Sequence, residues 1–184
     1  MVLGEADSKL YKGELSVAPI IEEWFLNGDI TVNGQIIAQQ QLIELDSGTA
    51  NIIGPIDIVQ QIFNATGVTG IMTNSSGCAS TLVGVYPCSQ PPKLGFVFPS
   101  MNDSAAASGN SGVSRKSTIF DVPASAFPVT NDGNGNCTSV LAGVNINLPQ
   151  TQNRSLWVVG QPFFQTHYLD FNVGEGTVGF SDQM

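Results

Sequence analysis

Short apolar runs rich in Val and Ile, punctuated by turn residues, recur along the whole chain and predict strands, with one clear helix. Val17 to Phe25 and Asp29 to Ile37 alternate apolar and polar positions as two strands would, and Asn33-Gly34 is a strong two-residue hairpin signal. Leu42-Ile43-Glu44-Leu45 then delivers Asp46 onto the small residues Ser47-Gly48-Thr49. Ala50-Asn51 lead into a second apolar run, Ile52-Ile53, closed by Gly54-Pro55. The pattern reads as strand, tight loop and strand, with a carboxylate among hydroxyls and backbone N–H groups. Beyond it, Ile56, Val59, Ile62 and Phe63 recur at helical spacing. Pro55 suits the first turn of that helix, Asp57 its positive end, and Asn64 and Gly67 its close. Leu94 to Phe98 and Thr118 to Pro123 read as a strand pair interrupted by 100–117, a stretch of Ser, Ala, Gly and Asn expected to be a surface insertion. Asn131 to Asn136 is a turn cluster, and Val140 to Leu148 leads through Pro149 toward a strand at Trp157.

Composition narrows the chemistry. The chain has 184 residues, 42% of them hydrophobic, which suits one domain with a proper core. Its 20 glycines and 10 prolines, set among many Val, Ile, Thr and Phe, point to a mostly β architecture. With a net charge of −9 and only 6 Lys and Arg, nucleic acid and anionic membrane are poor partners. No apolar stretch is long enough to cross a bilayer. Few basic groups also limit positive self-repulsion in acid, once carboxylates are protonated. One His and no Cys-x-x-Cys spacing give too few ligands for a metal, and no cofactor motif is present. Asp132, Asn134 and Asn136 lack the following Glu of a calcium loop. Ser47, His167 and Asp170 assemble a Ser-His-Asp set on paper, but no Gly-x-Ser-x-Gly elbow supports it. His167 reads more simply as a sheet residue, and Trp24 as a core or sheet-face residue. Asn64, Asn74 and Asn153 head glycosylation sequons, meaningful only for a secreted protein.

Two segments then converge. Asp46-Ser47-Gly48-Thr49, followed by Ile52-Ile53-Gly54-Pro55, resembles the second active loop of the pepsin-like aspartic endopeptidases in their fungal form. More than a hundred residues on, Leu156-Trp157-Val158-Val159-Gly160-Gln161-Pro162-Phe163-Phe164 resembles the hydrophobic-hydrophobic-Gly segment of that family. There it passes beside the aspartate loop to form a ψ-shaped motif, here through Val158, Val159 and Gly160. The likeness continues to Thr177-Val178-Gly179-Phe180. Leu3 to Leu15 resembles the family's junction between lobes. The resemblance therefore implies a mostly β, pepsin-like lobe with one or two short helices: a junction strand at 1–15 and a carboxy-terminal catalytic lobe at 16–184. It also implies a disulfide between Cys88 and Cys137, hence an oxidising compartment. Cys78 is left over. Met1 to Glu14 has neither the basic nor the apolar region of a signal peptide, so a secreted or vacuolar location implies a longer precursor, with Met1 an expression or gene-model start.

For such a family member the expected chemistry is peptide hydrolysis by an activated water between two aspartates, without metal or cofactor. Carried over residue by residue, Asp46 is the catalytic carboxylate. Ser47 makes interlobe hydrogen bonds, Gly48 brings backbone close to substrate, and Thr49 bonds the outer carboxylate oxygen. Ile53 and Ile146 match apolar pocket positions for a peptide or protein substrate. Gln161 stands where pepsins commonly carry Asp, with a local effect expected. No other Asp is followed by Ser or Thr and then Gly: Asp103 precedes Ser-Ala, Asp132 Gly-Asn and Asp170 Phe-Asn. A monomer is thus expected to be inactive. Three expectations follow: a lobe working beside an amino-terminal lobe, two copies meeting to supply two Asp46 residues as in retroviral-type proteases, or a non-catalytic binding module.

Overall fold

Asn33-Gly34 sets the longest hairpin of the molecule. Both residues take positive φ (51° and 76°), as the twist of a two-residue hairpin requires, and Val32 pairs with Gln35 across the turn. The computed structural model describes residues 3–74, 79–101, 118–146, 151 and 154–184. The Cys78 thiol, the Asn153 sequon and nearly all of the 100–117 insertion lie outside the described residues. The strands are β1 (Ser16–Pro19), β2 (Phe25–Val32), β3 (Gln35–Leu45), β4 (Ile52–Gly54), β5 (Thr69–Thr73), β6 (Thr81–Pro87) and β7 (Leu94–Val97). After these come β8 (Phe120–Asp121), β9 (Pro128–Asn131), β10 (Asn136–Gly143), β11 (Leu156–Val159), β12 (His167–Asn172) and β13 (Thr177–Asp182). Among the described residues two α-helices join them, α1 (Ile56–Thr66) and the single turn α2 (Gln161–Phe164).

The alternating runs form strands with shifted ends. The Val17–Phe25 run breaks after Pro19, and Phe25 already belongs to β2. The Asp29–Ile37 run is divided by its own hairpin turn. The reason is shared: Pro19 and Asn33-Gly34 cannot sustain a ladder as interior residues do. Helix α1 begins after Pro55, which caps it from outside, and ends at Gly67 in the left-handed region (φ 73°). Asn64, expected near its end, lies exposed within it and accepts a bond from Gln60. Val59, Ile62 and Phe63 are buried as the spacing requires.

Ten strands form one sheet, in the order β5-β6-β10-β4-β11-β3-β2-β7-β8 with β9 on β10; β1-β13-β12 form a second. The β7–β8 pairing joins Phe96 to Phe120, as the strand pair flanking the insertion predicts. Residues from both sheets share one core, with Trp157, Phe63, Phe96, Phe163 and Phe180 sealed from solvent. Phe98 stacks on Phe180 at 4.3 Å and brings the two sheets together. The Cys88–Cys137 disulfide is present and ties the end of β6 to β10 across 49 residues. In the chain-entropy picture a loop of that length is worth about 4 kcal/mol. Residues 3–15 form no continuous strand; an isolated bridge from Tyr11 to Gln183 joins them to the body, with hydrogen bonds from Asp7 N–H to the Tyr168 hydroxyl and from Lys12 N–H to the Asp182 carbonyl.

Candidate active site

Strand β11 is threaded between the two strands that flank the aspartate. It runs parallel to β3, with Leu156 beside Leu42 and Val159 beside Leu45, and antiparallel to β4, with Val158 beside Ile53. The β3-loop-β4 segment therefore straddles β11, and the loop 46–51 bends over its end. This is a ψ. Its backbone closes through Asp46 N–H to the Val159 carbonyl (3.1 Å), Gly160 N–H to Asn51 (3.1 Å) and Gln161 N–H to Thr49 (2.8 Å). A Cβ at Gly160 would stand 2.1 Å from the Thr49 carbonyl oxygen and 2.4 Å from that of Asn51. Only glycine permits that approach.

Asp46 follows the last residue of β3, half-buried at the mouth of this motif. Gly48 N–H donates to its Oδ1 at 2.8 Å and the Thr49 hydroxyl to its Oδ2 at 2.5 Å. Thr49 N–H also reaches the Asp46 carbonyl at 3.2 Å. Each carboxylate oxygen thus takes one donor from within its own loop, which fixes the plane of the group without covering it. Ser47 and Gly48 are exposed. Gln161 donates its side-chain amide to the Ser47 carbonyl at 3.2 Å, so the residue that departs from the pepsin pattern braces the loop.

The two faces of the ψ differ. Val159, Trp157, Ile43, Leu45 and Ile52 point into the main core, and Val158 points away from it. On that outer face Phe25, Leu42, Leu156 and Val158 form a second apolar cluster, joined by Ile53 and Ile146. The two residues predicted to line a pocket are therefore brought together, on the face that ends at Asp46. A polar cavity of about 360 Å³ adjoins this cluster, lined by Pro55, Asp57, Asn145, Ile146, Arg154, Ser155 and Leu156. It does not include Asp46. Arg154, in its lining, donates to Asn27 (2.6 Å) and the Gln40 carbonyl (3.2 Å).

Glu44 shares the outer face, two residues before Asp46. Its carboxyl is held above the usual range by burial first, then by the negative charges of Asp46 and Glu23. Alternation along β3 was the signal that places it there, since residues two apart on a strand share a face.

His167 turns into the core. Its ring packs on Phe163 at 4.5 Å and edge-on to Phe120, and its Nε2 lies 3.0 Å from the Asp121 carbonyl. Nδ1 is 3.3 Å from the exposed Asp182 carboxylate, in a geometry short of a hydrogen bond. Burial lowers its pKa. The ring is occupied by β8 and β13, so it makes no triad with Ser47. Trp24 is 39% exposed and meets Phe171 edge-on at 5.0 Å, a surface role. Asn64 and Asn74 are both exposed. Among the described residues, no three His, Cys, Asp or Glu side chains are placed to hold a metal, and no helix is long and apolar enough to cross a membrane.

The mostly β fold carries a carboxylate at the mouth of a ψ-shaped loop, the geometry that the resemblance to aspartic endopeptidases implies. The family model for eukaryotic aspartyl proteases matches residues 1–183, and the chain belongs to that family. It is 31% identical over 182 residues to "Secreted aspartyl protease 1" of Malassezia globosa, covering 97% of this chain and 38% of that protein. Against "Pepsin A" of Bos taurus the identity is 27%, covering 98% and 43% respectively. Against "Aspartic protease" of Phaffia rhodozyma it is 26%, covering 98% and 40%. The chain thus spans about two fifths of the length of the curated relatives it matches.

Proposed function

We propose that this chain is the carboxy-terminal lobe of an acid endopeptidase and supplies one of two catalytic aspartates, Asp46. The observation that carries the reading is the exposed mouth of the ψ, where Gly48 and Thr49 orient a carboxylate that its own loop leaves open. A second carboxylate facing Asp46 would share one proton with it, because two like charges at that separation cannot both ionise. The ionised member takes a proton from water as it attacks the peptide carbonyl, and the protonated member donates to the carbonyl oxygen. Aspartic proteases are the standard illustration of that arrangement. The apolar outer face receives hydrophobic side chains flanking the cut bond. The disulfide, and the likeness to a protease named as secreted, support a secretory-pathway location.

The second carboxylate comes from an amino-terminal lobe bearing its own Asp-Thr-Gly loop. Self-pairing is the second reading, favoured by the small sheet. Its order leaves β1 and β12 as edges among the described residues, with Phe171 exposed beside Trp24. The deciding experiment is cleavage of a denatured protein near acid pH over a wide range of chain concentration, beside Asp46→Asn. Activity rising with the square of concentration and lost in the variant establishes self-pairing. Activity only on adding a lobe with the second aspartate, again lost in the variant, establishes the first reading. No activity in either format overturns both and leaves a binding module.

A further inference from the structure

The register of the ψ places one carboxylate in an otherwise apolar row. Reading across four strands, Ile53 of β4 pairs with Val158 of β11, Val158 with Glu44 of β3, and Glu44 with Phe25 of β2. Along β3 its same-face neighbour is Leu42, and two residues onward, just past the end of the strand, comes Asp46, still hydrogen-bonded through its N–H to Val159 of β11. Glu44 is half-buried, and no hydrogen bond or ion pair reaches its carboxylate from the described residues. A strand interior on an apolar face is a costly place for an unpaired carboxylate, and none of the described residues compensates it. What it lies beside is the catalytic group, about 7 Å away along the strand.

We infer that Glu44 is a specificity-determining residue, which favours a Lys or Arg side chain in the substrate next to the bond that Asp46 acts on. The inference rests on the reading of Asp46 as catalytic. An extended peptide crossing Asp46 sets a neighbouring side chain over Glu44 at one strand spacing. The apolar row of Phe25, Val158 and Ile53 carries the aliphatic stem of a lysine, and the carboxylate meets its ammonium. The charged groups facing Glu44 are Asp46 just past the end of its own strand and Glu23 in the turn before β2, both negative. Its partners on β2 and β11, Phe25 and Val158, are uncharged. The preference is therefore strongest near neutral pH and fades in acid as the carboxyl protonates.

The test uses binding by the whole chain. Two pairs of hexapeptides carry a reduced, uncleavable central bond, with Lys or norleucine either just before it or just after it. Affinities are measured by calorimetry at pH 7 and pH 4 for the wild type, Glu44→Gln, Glu44→Leu and Asp46→Asn. In one pair the Lys peptide binds the wild type about five- to tenfold tighter at pH 7. That ratio approaches one at pH 4 and in Glu44→Gln, turns toward norleucine in Glu44→Leu, and persists in Asp46→Asn. Equal affinities in the wild type overturn the inference and leave the peptide cleft standing. So does a lysine preference that survives Glu44→Gln and disappears in Asp46→Asn. Failure of the wild type to bind any of the peptides, both alone and beside an amino-terminal lobe bearing the second aspartate, overturns the cleft reading and the inference together.

Discussion

The two faces of the ψ are made by the same three strands, yet they serve opposite ends. The inner face, Ile43, Leu45, Ile52, Trp157 and Val159, is wholly apolar and sealed against the aromatic core. Alternate residues of those strands build the outer face, where Leu42, Leu156 and Val158 stand with Glu44 and Asp46. One side fixes the geometry, and the other spends part of its apolar burial on carboxylates. The pleat makes this economical, because a one-residue step along a strand changes the face and hence the role. The comparison also explains why the site is reached only through the fold. Asp46 donates its N–H to the Val159 carbonyl and accepts from the Thr49 hydroxyl; Val159 is held by the inner packing, and the Thr49 carbonyl by Gln161 N–H.

Breaking the junction between the faces gives the largest effect. Gly160→Ala puts a methyl against two backbone carbonyls that cannot yield, since they close the ψ itself. We expect a loss of several kcal/mol, of the order reserved for collisions and strain in special backbone positions, read as a large drop in the urea midpoint. An unchanged midpoint would mean the loop moves aside freely and does not depend on β11. Truncation compares the faces directly. Trp157→Ala empties the inner side and should cost about 3–5 kcal/mol, and Val158→Ala on the outer side about 1–2 kcal/mol. Equal costs would contradict the division.

The sequence carried the loop and its close approach to β11 better than it carried the assignment of residues to either face. Val158-Val159-Gly160 and Asp46-Ser47-Gly48-Thr49 are legible because tight loops and close approaches demand small residues, and those demands leave a pattern. The helix was equally plain, since Ile56, Val59, Ile62 and Phe63 repeat a single face. The threading of β11 between β3 and β4 joins residues more than a hundred positions apart, and no local propensity encodes it. Glu44 was passed over for the same reason. Beside Leu45 it looks like an ordinary polar member of a strand, and only the neighbours on β2 and β11 show that its face is apolar. His167 was placed in a sheet by its surroundings, but its burial between β8 and β13 arises from the packing of two sheets.

Glu44 and His167 also pull the stability of the lobe in opposite directions with pH, which sharpens the contrast between an open carboxylate and a sealed ring. Burial lowers the His167 pKa. The unfolded chain then takes up a proton that the folded one refuses, so stability is full above about 6.5 and falls as pH drops through the folded value. Glu44 runs the other way. Its raised folded pKa makes its contribution complete below about 4.5 and lost as pH rises through the folded value. His167→Gln, which keeps a donor for the Asp121 carbonyl, should raise the melting temperature at pH 4 relative to pH 7 by about 2–4 °C. Glu44→Gln should raise it at pH 7 relative to pH 4, by about 1–2 °C, less because that carboxyl is only partly buried and water screens it. The pH difference within each variant is the readout, since packing losses act equally at both. Parallel melting curves for wild type and Glu44→Gln from pH 4 to 7 would mean that the carboxylate is as well solvated in the fold as in the unfolded chain. In that event the outer face would be wetter than its row of apolar neighbours requires.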